Sequence, residues 1–167
     1  ENLTSAVSLG YNASGSLESI SIDNSKRTVS WGSSDSLSSS SGIITAVSAD
    51  GSLFGIAADP VAIGWDYHTF GAWVSGRSTG SLNLSSLSVG TATAGASIPK
   101  TGTATFNGYA GGLYSNGSGA GFVVASDVTL GANFVTRSVT FNTSNTSIVS
   151  LASGVTTNNF NYLDLSG

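Results

Sequence analysis

The chain has 167 residues and a net charge of −4, and only 8% of them are charged, against about 25% in an average soluble domain. Its five Lys and Arg are scattered, so nothing would neutralise a row of phosphates, and nucleic acid is set aside as a partner. With no cysteine there are no disulfide staples, thiolate metal sites or thiol nucleophiles, and no apolar run approaches the roughly 20 residues of a helical membrane span.

Polarity resides instead in neutral groups, with 33 Ser, 17 Thr and 22 Gly. Methionine is absent as well, so Glu1 reads as the start of a processed chain whose signal segment has gone. Sulfur-free, hydroxyl-rich β sequence of this kind is typical of exported surface and fibre proteins.

Apolar residues recur at period 2 with no helical stripe, which predicts strands throughout. Val7, Leu9 and Tyr11 share a face of the first strand. Asn12 to Gly15 supplies a turn, Ile20 and Ile22 mark a second strand, and Asp23-Asn24-Ser25-Lys26 turns the chain toward Val29 and Trp31. Residues 33–42, "SSDSLSSSSG", read as a low-complexity linker. The next eighteen residues form a hairpin in which Asp50-Gly51 suits a tight primed turn. Asp59-Pro60 then breaks the pattern.

"GWDYHTFGAW" (64–73) follows, with two of the three tryptophans and the single histidine. As a strand it sets Trp65, Tyr67 and Trp73 on one face and His68, Phe70 and Ala72 on the other. Residues 76–98 read as a long loop with a short edge strand. From Thr101 the alternation sharpens into a strand through Phe106 to Tyr114. Asn116-Gly117 turns the chain, Val128, Leu130, Ala132 and Phe134 line one face, and Val139 and Phe141 complete a further hairpin. The last ten residues resemble the start of another strand.

Catalytic constellations do not emerge. His68 could serve as a haem ligand, pH switch or general base, but zinc needs three or four ligands, and parity puts His68 away from the aromatic face, so it reads as a structural or surface residue. Asp59 and Asp66 stand roughly 20 Å apart along an extended chain, beyond the carboxylate spacings of glycosidases. No Gly-x-Ser-x-Gly elbow is present, and the Gly-rich segment at 108–121 opens no helix, so it cradles no phosphate. Six Asn-x-Ser/Thr sequons begin at Asn2, Asn12, Asn83, Asn116, Asn142 and Asn145, and ordinary turn composition accounts for them.

Three segments together carry a resemblance: "DYHTFGAWVSGRSTGS" (66–81), "SIPKTGTATFNGYAGGLYSNGSG" (97–119) and "DVTLGANFVTRSVTFNTSNT" (127–146). Over roughly residues 66–146 the chain resembles the β-barrel domain of the transferrin-binding protein B-like family, in its solute-binding branch of Gram-negative surface and secreted proteins. The resemblance implies an antiparallel barrel with binding loops, no catalysis, and capture of carrier proteins or small solutes in the manner of iron and haem acquisition. Two departures stand out: Glu1 replaces the lipidated Cys of a mature lipoprotein, and the family's later strands do not appear before Gly167, so an incomplete barrel with open edges is expected.

The expectation is therefore an all-β chain. A meander and hairpin over residues 1–60 precede an up-and-down β-barrel or sandwich over 61–167, whose core takes Trp65, Tyr67, Trp73, Phe106, Leu130, Phe134 and Phe141. The expected function is non-enzymatic capture of a protein or small solute at the cell exterior, without cofactor, metal or transmembrane segment. The alternative is a structural subunit of an extracellular fibre or matrix assembled through β-strand edges; haem binding at His68 is a third reading.

Overall fold

Val7, Leu9 and Tyr11 alternate with smaller residues and form β1 (Ala6–Tyr11) of the computed structural model, which describes residues 6–23, 28–65, 68–118 and 120–167. β1 pairs antiparallel with β2 (Leu17–Asp23), and β2 with β3 (Thr28–Trp31). The first turn is made by Asn12, whose Oδ1 accepts from the N–H groups of Ser14 at 3.0 Å and Ser16 at 2.9 Å. An Asn side chain here replaces a backbone acceptor, which explains this sequon without a glycan. The expected second turn falls mostly on 24–27, outside the described residues.

The anticipated linker contains a strand. β4 (Ser36–Ser40) pairs along its length with β5 (Ile43–Val47), and Leu37 packs on the core. Serines on both faces erase any period-2 signal, so here the ladder overrides local propensity. β5 meets β6 (Leu53–Ala58) through a wider loop than the primed turn expected at Asp50-Gly51. Gly51 closes it at φ 68°, donating its N–H to the Ser48 carbonyl at 2.8 Å. Asp50 favours the wider loop because its carboxylate accepts from the Ser48 hydroxyl and from both the N–H and hydroxyl of Ser52.

β7 (His68–Ser75) pairs with β6, and β8 (Asn83–Gly90) with β7, completing a five-stranded sheet ordered β4-β5-β6-β7-β8. A boundary at 60/61 would therefore cut one sheet in two. The chain divides instead into a first unit of residues 1–91 and a second of 92–167. In the first unit the two sheets pack face to face: Ile20, Ile22, Val29 and Trp31 of one meet Ile44, Ala46 and Trp73 of the other. Gly55 makes room for the indole, since a Cβ there would lie 2.8 Å from the Trp31 ring. Each large apolar side chain sealed in this way stabilises the fold by about 1.5–3 kcal/mol.

The second unit is one antiparallel sheet ordered β12-β11-β10-β9, from β9 (Thr103–Ser115), β10 (Gly121–Asn133), β11 (Ser138–Ser150) and β12 (Thr156–Thr157). One face is polar, with Thr103, Thr105, Asn107, Thr129, Asn133 and Thr140. The other brings Phe106, Leu130 and Phe141 into a single cross-strand row, beside Ala104, Ala132 and Val139. The last residues do not extend the sheet as a full strand. They make a 3₁₀ turn at Asn161–Leu163 and then run beside β11, where Thr143 N–H donates to the Leu165 carbonyl at 2.8 Å. Asp164 accepts from the buried Thr146 hydroxyl, which also contacts Ser126 at 2.7 Å. The fold is all-β, its sheets antiparallel throughout.

Of the expected core residues, Trp73 is buried. Trp65 and Phe106 are 43% and 55% exposed, Leu130, Phe134 and Phe141 are half-buried, and Tyr67 lies outside the described residues. The burial of Trp73 comes from the sandwich of the first unit, not from a barrel.

Candidate functional site: an aromatic cluster at the head of strand β7

The site begins with a helix of one turn, α1 (Pro60–Ile63). Asp59 caps its N-terminus and accepts from the N–H groups of Val61 and Ala62 at 3.1 Å each, with Pro60 preset for the first helical position. Gly64 ends it at φ 70°, where a left-handed conformation favours glycine, and Trp65 N–H reaches back to the Pro60 carbonyl at 2.8 Å. This reversal carries Trp65 out of strand geometry.

The side expected for Trp65 is thereby overturned, whereas His68 and Phe70 lie opposite Trp73 as the parity predicts. The Trp65 ring lies 6.2 Å from His68 and 5.9 Å from Phe70, and those two rings are 6.0 Å apart. Three rings at mutual offset-contact distances form one cluster, while Trp73 points to the opposite face and into the core. His68 is exposed, and its Nε2 stands 3.5 Å from the Ser88 hydroxyl on β8. Val61 and Ile63 of α1 are exposed, and Ile63 covers Gly42, where a Cβ would meet its side chain at 2.2 Å. The arrangement offers three mutually tilted rings at the surface, one of them an imidazole. Its sequence signal is Asp-Pro followed by Gly at the spacing of a one-turn helix, which the strand reading passed over.

Beneath the cluster, Asp59 ties the two sheets of the first unit together. Its carboxylate is buried, and besides the helix N–H groups it accepts from Tyr11 of β1 at 2.7 Å and Ser39 of β4 at 2.5 Å. Burial pushes the carboxyl up, but the bonds from Ser39, Tyr11 and the helix N–H groups outweigh it and hold the group below its ordinary value. Burial, then the bond to Asp59 and its charge, raise the Tyr11 phenol well above the usual range. Asp59 is a structural clasp, its Oδ1 accepting three hydrogen bonds and its Oδ2 one.

A second concavity, an open cleft of about 640 Å³, is lined by hydroxyls including Ser30, Ser52, Ser75 and Thr79 together with Asp50. Hydrogen bonds from Ser48 and Ser52 lower the Asp50 carboxyl to about 2. A carboxylate that acidic is a poor base for activating a neighbouring serine. Comparison with protein-family models, curated proteins and solved structures finds no match for the chain.

Proposed function

We propose that the protein is a non-enzymatic binding module of the cell exterior, capturing a protein or small solute through the Trp65–His68–Phe70 cluster. The observation that carries this reading is the exposure of Trp65 and His68 within a three-ring surface cluster, since large exposed aromatics on a rigid sheet are the usual anchors of recognition. The acidity of Asp50 and the engagement of Asp59 in four structural hydrogen bonds support a role without catalysis. The resemblance to transferrin-binding protein B-like barrels supports an exterior location and an iron- or haem-acquisition type of ligand.

Tryptophan emission tests the reading directly, because Trp31 and Trp73 are buried and Trp65 is exposed. Titration with hemin as a planar probe should quench the Trp65 share of the emission saturably, and Trp65→Ala should abolish the quench. His68→Ala should remove any Soret shift while leaving part of the quench. Absence of saturable quenching by hemin, by a panel of apolar solutes and by candidate host proteins would sink the proposal. The alternative, a structural subunit joined through sheet edges, is favoured by a different feature: the outer edge of β9 has no strand partner among the described residues.

A further inference from the structure

β9 is the outermost strand of its sheet, and its ladder to β10 is regular over all thirteen residues. At its two ends Phe134 N–H donates to the Gly102 carbonyl and Asn116 N–H to the Ala120 carbonyl. Even-numbered positions therefore bond toward β10, and antiparallel alternation turns the N–H and C=O groups of the odd positions, Thr103 to Ser115, outward. The middle of the strand is open on both faces, with Tyr109 82% exposed and Phe106 more than half exposed. It carries no charge, no proline and no bulge, the devices by which edges are normally protected.

The strand is also complementary to itself. When two copies run antiparallel about Tyr109, all thirteen residues are used, and odd positions meet odd positions with their outward backbone groups aligned. Tyr109 then faces its own copy, Asn107 faces the partner's Gly111, and Thr105 faces the partner's Leu113. On the apolar face Phe106 meets the partner's Gly112, Tyr114 meets the partner's Ala104, and Gly108 meets the partner's Ala110. On this face each ring is set against a small residue. Within the protomer nothing lies within 4 Å of a Cβ placed on Gly108 or Gly112, so its own packing does not require those glycines. The row Phe141–Leu130–Phe106 would continue across the seam into the partner's Gly112, Val124 and Ile148. The acid nearest the seam, Asp127 opposite Tyr109, is already held by the Asn145 amide at 2.8 Å.

We propose that β9 is a homodimerisation edge, through which two copies of this chain join about Tyr109 into one continuous eight-stranded sheet. The occupant is a second copy because pairing this sequence with its own reverse sets Phe106 and Tyr114 against the partner's Gly112 and Ala104. Such an isologous contact consumes both edges at once, so it closes a dimer and does not propagate a filament. This goes beyond ligand capture, which uses residues of the first unit.

Sedimentation of the full chain from low to high micromolar concentration tests it, and a discrete dimer is expected. Gly111→Pro, at a position whose N–H faces away from β10, should raise the dimer dissociation constant at least about tenfold by removing a seam donor and setting its ring in the seam, with the protomer's secondary structure retained. The combined exchange Phe106→Gly with Gly112→Phe keeps one ring at each such seam position and should leave the dimer in place. Because the chain lacks cysteine, Tyr109→Cys should cross-link to its copy on oxidation, at a Cα separation suited to a disulfide. Thr105→Cys, far from its copy in this register, should stay monomeric under denaturing electrophoresis. A wild-type monomer at about 200 μM, far above the range expected for a specific pair, overturns the proposal. So do filaments in place of dimers, unweakened association of Gly111→Pro, or equal cross-linking of Thr105→Cys.

Discussion

The two units use β-strands of the same composition in opposite ways. The first folds two sheets of short strands against each other and seals Trp31, Ile44 and Trp73 between them. The second lays out three thirteen-residue strands as a single sheet. At one end of its apolar face the residues near the C-terminus close over Tyr114 and Thr146, with Phe160 6.2 Å from the Tyr114 ring. At the other end Phe106 and Val139 remain largely exposed. Strand length without a facing layer leaves apolar surface available for contact, whereas facing layers convert similar residues into core.

That contrast predicts a gradient of mutational cost. The largest effect is expected from Trp31→Ala, which empties a sealed site and should cost about 3–5 kcal/mol, read as a drop in the urea midpoint at constant slope. Next comes Asp59→Ala, which strands the Tyr11 and Ser39 hydroxyls and uncaps α1; about 3 kcal/mol is expected by the same measurement.

Asp59 also sets an acid limit. Its folded carboxyl lies below the ordinary 3.8, so as pH falls the unfolded state takes up the proton first. Its stabilisation is therefore complete above about pH 4 and is lost as pH drops through the folded value. Melting temperatures of the wild type should fall over this window more steeply than those of Asp59→Asn; parallel curves would remove the clasp from the account.

In the second unit, Thr146→Val should cost about 1–2 kcal/mol, because it leaves Ser126 and Asp164 without the hydroxyl between them. The smallest effect belongs to Phe106→Ser, within about 0.5 kcal/mol when measured at dilutions that keep the chain monomeric. A loss comparable to that of Trp31→Ala would erase the distinction between the units.

These elements also show what can be read directly from a chain of this kind. The meander of β1 to β3 and the long hairpins of β9 to β11 were legible because their apolar residues alternate, and the row Phe106–Leu130–Phe141 follows from that alternation once the turns at Asn116-Gly117 and residues 134–137 set the register. β4 was hidden because its serines look alike on either face, and only its ladder to β5 gives it a direction. The division at 91/92 was missed because Asp59-Pro60 looks like a domain break, yet it starts a helix within one sheet. The aromatic cluster was misassigned for the same reason: parity counting assumes a strand, and the reversal at Gly64 moves Trp65 to the side of His68 and Phe70. Local signals report local geometry, and a single turn is enough to reassign a face.

The placement of the tryptophans has an optical consequence. All three, at positions 31, 65 and 73, belong to the first unit, and the second has none. Light absorbed at the red edge of the indole band therefore reports only on the sandwich and its surface cluster, while tyrosines such as Tyr109, Tyr114 and Tyr162 supply the signal of the long-stranded sheet. With no labelling at all, red-edge emission follows the first unit apart from the second.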